Sequence, residues 1–227
     1  MRSPDLARCD GGNKEFRYHP IDIQGHLMVG DSWTHKIAKV CITPLANTAV
    51  TPNHLTTLRL ITGVAACAAF AVGDRQWDIW GGWLWLFSAF MDRADGELAR
   101  LTGKITPGGH RYDMFCDITV SSLFFLGCGI GLRDGSFGNW MILMAVMGTA
   151  GVFMAQIYAE KIDQMTSDTS DKAYAGIWGF DFDDVLYLFA PIVWLGWQMP
   201  FVVGASVGAP AFALLTWYKW RKRLQET

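Results

Sequence analysis

The chain has 227 residues, of which 51% are hydrophobic and eleven are Trp, and its formal net charge is −2. This composition is too apolar for an ordinary soluble domain and is typical of a membrane helix bundle with aromatic residues at the lipid–water interfaces. The net charge argues against a nucleic-acid partner, which would require a basic surface. The five Cys residues lack metal-ligand spacing and are interpreted as free thiols.

The first 50 residues divide into two predicted segments. Residues 1–30 show no clear periodicity and are interpreted as an N-terminal extension without the apolar core of a signal peptide. Residues 31–50 predict a short amphipathic helix lying at the membrane interface, with an amphipathic helix packed on protein as the alternative. Pro44 is expected to end or bend this helix. Its apolar face consists of Trp33, Ile37, Val40 and Cys41.

Residues 51–227 contain six apolar segments, most of which reach the roughly 20 residues that a helix needs to cross a bilayer. The fifth is short and is expected to join the sixth through a tight turn at 197–200. The sequence therefore predicts an all-α integral membrane protein, with six transmembrane helices preceded by an interfacial amphipathic helix. The predicted spans are 55–73, 77–100, 109–132, 139–160, 184–199 and 200–219.

Lys and Arg are distributed unevenly between the predicted connections. If the N-terminus is cytoplasmic, only Arg75 and Arg133 face outward, and all other Lys and Arg residues lie at or near the inner face. This asymmetry predicts a protein of the cytoplasmic membrane with both termini inside.

One motif spans the inner ends of the second and third predicted helices. Because a helix rises about 1.5 Å per residue, Asp92 matches Asp117 in depth and Asp95 matches Asp113. Four carboxylates that converge on one point repel each other unless cations neutralise them, so the motif predicts a divalent metal site. Salt-bridged acids at helix ends are the alternative. The motif is Asp92-x2-Asp95-Gly96-x2-Ala99-Arg100-x8-Gly109-x3-Asp113-x3-Asp117.

The other motif residues suit a phosphate-bearing ligand. Gly96, Ala99 and Gly109 lack bulk and lie on the same helix faces as the acids, so a flat ligand or an opposing backbone can come close. Arg100 is one turn further inward, where a guanidinium can pair with phosphate. Carboxylate oxygens suit Mg²⁺ or Mn²⁺, and Mg²⁺ commonly bridges carboxylates and substrate phosphates.

The run DRADGELARLTGKITPGGHRYDMFCD resembles the signature of the CDP-alcohol phosphotransferase family, with every fixed position present. The resemblance implies six transmembrane helices, a site facing the cytoplasm, and transfer of a phosphoryl-alcohol from a CDP-linked alcohol to a hydroxyl with release of CMP. It further implies a pair of divalent ions held by three carboxylates, with Asp117 completing the metal site and acting as the base. Those three carboxylates are Asp92, Asp95 and Asp113.

The resemblance also implies nucleotide contacts. Gly96 and Ala99, together with Gly109, would border the cytidine, and Arg100 would lie near the nucleotide phosphates. Residues 51–59 resemble the Pro-Asn-x-x-Thr segment of many members. The nucleotide contacts predicted from that segment are Asn53 and Thr56, with a helix cap and turn as the alternative.

Three further polar residues have predicted roles near this motif. Arg59 lies in an apolar run and needs either a phosphate or an acidic residue as its partner. Arg111 is a second candidate for a substrate phosphate. His110 is interpreted as a solvated residue beside the site and not as a ligand.

The motif leaves the two substrates open. The favoured interpretation is transfer of phosphatidyl from CDP-diacylglycerol (CDP-DAG) to a polar acceptor alcohol in phospholipid synthesis. The alternative is transfer from a soluble CDP-alcohol to a lipid hydroxyl. Segment 160–184 carries seven acids and only two Lys residues, which weakly disfavours a phosphorylated acceptor.

A divalent-cation transport or binding protein is the competing class. It ranks below a transferase because residues 83–90 and 121–131, in the outer parts of the second and third spans, hold few polar residues and no charged one. Besides its substrates, we expect membrane lipids and a second copy of the chain, in a homodimer, as partners.

Overall fold

The computed structural model describes residues 33–104, 106–165 and 182–226, which form helices and, within those ranges, no strand. The predicted extension 1–30 and most of the acidic segment 160–184 therefore lie outside the described residues. The helices are α1 (Trp33–Ile42), a 3-10 helix (Thr43–Leu45), α2 (Pro52–Val72), α3 (Arg75–Thr102), α4 (Pro107–Gly131), α5 (Trp140–Met165), a second 3-10 helix (Phe182–Leu188), α6 (Phe189–Trp194) and α7 (Gln198–Glu226).

Four helices are long and apolar enough to cross a membrane, namely α2, α4, α5 and α7. The fifth long helix, α3, has 28 residues, or about 42 Å of length, but its inner half carries the charged motif. An all-helical protein with membrane-length apolar helices is thus confirmed. The count of six transmembrane helices stays a prediction.

The predicted fifth span, 184–199, is wrong as a continuous helix. The chain forms a seven-residue 3-10 helix and the six-residue helix α6, and then turns at Gly196, which has a φ of 74°. The predicted turn at 197–200 is also displaced, because α7 already begins at Gln198. Pro200 lies in the first turn of α7, where its missing N–H would have no helical partner in any case.

A tight connection brings the two halves of the motif together. Helix α3 ends at Gly103, whose φ of 66° is in the left-handed region that favours glycine. Helix α4 begins with Pro107 after Thr106, whose side chain accepts a hydrogen bond from the N–H of Gly109 at 3.0 Å. Because only residues 103–106 separate the helices, α3 and α4 run antiparallel with their motif ends adjacent.

An aromatic core fills the bundle on the far side of the motif. Helix α2 packs on α3 and α4, α4 packs on α5, and α5 packs on α7. Trp85 Nε1 donates to the carbonyl of Leu186 at 2.8 Å, which ties the second 3-10 helix to α3. The buried rings of this core are Phe70, Trp85, Phe124, Phe125 and Phe189, and the partly buried Phe201 packs against them.

Helix α1 forms as predicted and ends at Ile42, where the 3-10 turn containing Pro44 begins. It packs on α3, and Ile42 is buried against Leu55 and the motif half of α3. Two residues of its predicted apolar face, Ile37 and Val40, are 49% and 75% exposed. One face of α1 therefore contacts protein while another apolar face remains uncovered, and placement of that face in a membrane interface stays a prediction.

The two Arg residues predicted at the outer face bind helix ends. Arg75 donates to the carbonyl oxygens of Val193, at 3.1 Å, and Trp194. Arg133 donates to the carbonyl oxygens of Ala71, at 3.2 Å, and Ile130, at 2.9 Å. Both guanidinium groups thus satisfy carbonyls that helix C-termini leave without intrahelical partners.

Candidate active site

The four predicted carboxylates come together around the guanidinium of Arg59, which is 1% exposed. Its Nη1 lies 2.7 Å from Asp92 Oδ1 and 3.4 Å from Asp113 Oδ1, and its Nη2 pairs with Asp117. Ser88 Oγ donates to the carbonyl oxygen of Arg59 at 2.9 Å and so fixes this turn of α2 against α3. Arg59 was expected to pair with either a phosphate or an acidic residue, and here it pairs with acidic residues. Its buried positive charge offsets part of the repulsion between these carboxylates.

Three of the acids form a compact oxygen cluster. One carboxylate oxygen from each of Asp92, Asp95 and Asp113 lies within 4.8 Å of the other two. Asp95 is 4% exposed, and its Oδ2 accepts a hydrogen bond from Thr56 Oγ1 at 2.6 Å. An all-oxygen anionic donor set fits a hard divalent cation. Asp117 stands beside this cluster and is held by Arg59.

A polar cavity of about 270 Å³ opens next to the oxygen cluster, between α2, α3 and the first turn of α4. A Cβ added at Gly96 would meet no atom within 4 Å, whereas one at Gly109 would lie 3.2 Å from Asn53 Oδ1. Glycine at these positions therefore keeps the cavity open on one side and lets α4 approach α2 on the other. Asp95 and Asp113 line the cavity, as do all six predicted nucleotide contacts: Asn53, Thr56, Gly96, Ala99, Arg100 and Gly109.

An apolar pocket of about 180 Å³ lies on the other side of the acids, at Asp117. It is enclosed by α4, α5, α7 and the second 3-10 helix. Gln156 Oε1 is buried there without a hydrogen-bond partner. No Lys or Arg is among its described lining residues, which are Asp117, Ser121, Phe125, Val152, Ala155, Gln156, Val185, Leu186, Phe189, Ala209 and Phe212.

Other predicted residues lie at or beyond the rim of the polar cavity. Arg100 lines the cavity, and its guanidinium pairs with Glu97. His110 is exposed and places Nε2 3.3 Å from Glu160 Oε1, as expected for a solvated residue beside the site. Arg111 is also exposed, and it lines neither the polar cavity nor the apolar pocket.

Several residues of the site were not predicted from the sequence. Lys104 and Thr106 line the polar cavity, and the buried acid Glu97 pairs with Arg100. Gln156 of the apolar pocket was not predicted either, although a polar residue inside a membrane-length apolar helix is itself a signal of a site.

The chain is also similar to known proteins in its sequence. A model of the CDP-alcohol phosphatidyltransferase family matches residues 49–217. The chain belongs to this family, and the match confirms the resemblance found in the motif. Within the described residues, the matched region contains every element from α2 to α6, and it extends into α7.

Two individual proteins illustrate the relationship. Archaetidylinositol phosphate synthase from Pyrococcus horikoshii is 29% identical over 117 residues, which are 51% of this chain and 58% of that protein. The match thus spans little more than half of the relative. The crystal structure of Mycobacterium tuberculosis phosphatidylinositol phosphate synthase with CDP-DAG bound superposes with a TM-score of 0.57 at 20% identity. It covers 84% of this chain and 92% of that chain, which establishes a shared fold.

Proposed function

We propose that this protein transfers phosphatidyl from CDP-DAG to the hydroxyl of an acceptor alcohol and releases CMP. The observation that carries this proposal is the juxtaposition of the oxygen cluster with a cavity lined by all six predicted nucleotide contacts. Family membership supports the reaction class, and a relative of the same fold has been crystallised with CDP-DAG.

Within this proposal, Asp92, Asp95 and Asp113 would hold a pair of divalent ions, Mg²⁺ or Mn²⁺, and Asp117 would complete the metal site. When bound, such ions neutralise the charge that develops on the phosphates during transfer. Thr56 orients the carboxylate of Asp95 through its 2.6 Å hydrogen bond. Arg100, at the cavity wall, pairs with the nucleotide phosphates. Arg59, among the acids, is a further candidate partner for a phosphate of the donor CDP-DAG, and Arg111 could reach one only from the surface.

Asp117 serves as the base in the proposed reaction. Its side chain is 37% exposed and is oriented by the buried Arg59. The acceptor hydroxyl transfers its proton to Asp117 while its oxygen forms the new bond to phosphorus. The bond from that phosphorus to the bridging oxygen breaks, and CMP leaves with this oxygen.

The aromatic core argues against the competing hypothesis that the protein transports divalent cations. Beyond the acids, Trp85 on α3 and Phe124 on α4 are buried and in contact, with ring centroids 4.7 Å apart. A transport path would need polar groups that continue across the bilayer. The described part of the bundle places aromatic rings where such groups would be required.

The proposed topology has six membrane-crossing segments in residues 51–227, α1 at the interface within 31–50, and the extension 1–30 on the cytoplasmic side. It can be tested by cysteine labelling after removal of Cys9 and Cys41. A membrane-impermeant reagent added from outside should label Gly135→Cys but not Gln225→Cys, both being exposed positions. The reverse pattern would contradict the proposed orientation.

The reaction itself is tested by CMP release from purified protein. With CDP-DAG and a panel of acceptors, release should require Mg²⁺ or Mn²⁺ and should stop in EDTA. Undiminished release in EDTA would contradict the metal-dependent proposal. The alternative donor, a soluble CDP-alcohol with a lipid hydroxyl as acceptor, belongs in the same panel because the pocket at Asp117 is apolar.

A further inference from the structure

The apolar pocket at Asp117 has a size and lining suited to part of a ligand. Its walls are largely aromatic and aliphatic, with Phe125, Val152 and Phe212 among them. Its volume of about 180 Å³ slightly exceeds that of an engineered apolar cavity of about 150 Å³ that binds benzene. The pocket therefore has room for an apolar body of roughly that size.

The reaction geometry connects this pocket with the acceptor. In an in-line displacement the attacking and leaving oxygens lie on opposite sides of the phosphorus. Asp113 lines the polar cavity and Asp117 lines the apolar pocket, and the two residues are one helical turn apart on the same face of α4. If the nucleotide leaves through the polar cavity, the hydroxyl approaches from the side of Asp117.

The charges around the pocket disfavour an anionic acceptor. Its described lining holds one carboxylate, Asp117, and no Lys or Arg. The buried cation nearest to that carboxylate, Arg59, is already paired with Asp92, Asp113 and Asp117. Within the described lining, a phosphate or carboxylate on the acceptor would lose its hydration without gaining a cationic partner from the pocket wall, which is costly.

One polar atom in the pocket is left for the ligand. Gln156 Oε1 is buried without a hydrogen-bond partner, and such a group destabilises the protein unless a donor reaches it. A hydroxyl of a bound alcohol would supply that donor, so the pocket favours a ligand that combines an apolar body with a hydroxyl.

We propose that the acceptor is an uncharged alcohol with an apolar body, held in the pocket between α4, α5 and α7. A hydroxyl of this alcohol donates to Gln156 Oε1, and the reacting hydroxyl is presented to Asp117. The proposal rests on the transferase function proposed above and replaces the polar acceptor expected from the sequence with a more apolar one.

This proposal can be tested with four acceptors that differ in whether they carry a phosphate and in whether they carry an acyl chain. With CDP-DAG and Mn²⁺, the panel consists of short-chain 1-monoacylglycerol, 1-acylglycerol 3-phosphate, glycerol and glycerol 3-phosphate. The monoacylglycerol should give a kcat/KM for CMP release at least about tenfold above each of the others, on the scale by which pockets discriminate misfitting groups. A higher value for glycerol or for either phosphate would overturn the inference and leave the transferase function standing. No metal-dependent CMP release with any of the four would also overturn the inference, and it would contradict the transferase function only if the wider panel of acceptors gave none either.

A pair of variants locates the acceptor in the pocket. Gln156→Leu keeps the side-chain size but removes the carbonyl oxygen, so KM for the monoacylglycerol should rise about tenfold. KM for CDP-DAG should be unchanged, which also shows that the variant is folded. Ser122→Ala is the matched control, because Ser122 Oγ is likewise buried without a partner but does not line the pocket. An unchanged acceptor KM in Gln156→Leu, or a raised KM for CDP-DAG alone, would overturn the inference.

Discussion

Two cavities of opposite character flank the same acidic cluster. The polar cavity, between α2, α3 and α4, is lined by Arg100, Lys104 and Gly96, whereas the pocket between α4, α5 and α7 is lined mostly by apolar side chains. Helix α4 contributes to both, with Asp113 on one side and Asp117 on the other. A single turn of helix thus separates two environments, one suited to a charged nucleotide and one suited to an apolar alcohol.

The comparison also shows how differently the two sides are encoded. The polar cavity is built from two short stretches of sequence, 52–56 and 95–113, and most of the second lies within the motif. The apolar pocket combines residues from 117 to 212, which only the packing of α5 and α7 on α4 brings together. A motif can therefore specify the chemistry at the metal and the nucleotide and leave the acceptor side to vary.

The largest expected effect comes from breaking the oxygen cluster between the two cavities. Asp113→Asn removes one charged oxygen donor and should lower kcat for CMP release by about 10²- to 10³-fold, the scale seen when one electrostatic contact to a transition state is lost. Asp78→Asn is the matched control on α3, because Asp78 accepts a hydrogen bond from Gln198 at 2.7 Å at the other end of the bundle. Equal losses in both variants would mean that the effect is one of folding and not of the cluster.

A smaller effect is expected on the acceptor side of the cluster. Asp117→Asn cannot take up the acceptor proton and should lower kcat by about 10². KM for CDP-DAG should change little, because the three residues of the oxygen cluster remain. Direct binding of CDP-DAG at saturating Mn²⁺ checks this separation. Lost binding with metal present would make Asp117 chiefly a ligand and would leave the base to be found elsewhere.

The smallest of the three effects is expected on the donor side. A Cβ added at Gly96 would meet no protein atom within 4 Å, and Gly96 lines the polar cavity. Gly96→Leu should therefore raise KM for CDP-DAG about tenfold by obstructing the nucleotide. KM for the acceptor should be unaffected. Gly204→Leu is the control, because Gly204 on α7 also has open space around it but lines neither cavity. If Gly96→Leu raised only the acceptor KM, the acceptor would have to be assigned to the polar cavity and the nucleotide to the apolar pocket.

Helical periodicity explains which parts of the site could be predicted from the sequence. The spacings of Asp92, Asp95, Asp113 and Asp117 place them on facing sides of two helices, and they converge as expected. The same periodicity argues against Arg111, because a residue two positions before Asp113 lies on nearly the opposite face of α4. That residue is exposed and away from both cavities.

Other features depend on contacts that no local pattern contains. The predicted fifth span is not one continuous helix, because an apolar run of this length does not distinguish a long α-helix from shorter helical pieces. Here the run forms a 3-10 helix and α6, held to α3 through Trp85 and Tyr187. The polarity of Gln156 within an apolar helix is visible in the sequence, but its place in the pocket follows only from the packing of its helix against α4 and α7.

The central claim is that the oxygen cluster binds a divalent metal next to the nucleotide phosphate. It is tested most directly by ³¹P NMR of CMP in the presence of the purified protein and Mn²⁺, whose unpaired electrons broaden the signal of a nearby phosphorus. We expect strong broadening, beyond that of CMP and Mn²⁺ without protein, with the unmodified protein and with Asp78→Asn, and a return to the protein-free level with Asp113→Asn. Broadening above the protein-free level that persists in Asp113→Asn, or none above that level with the unmodified protein, would contradict the claim.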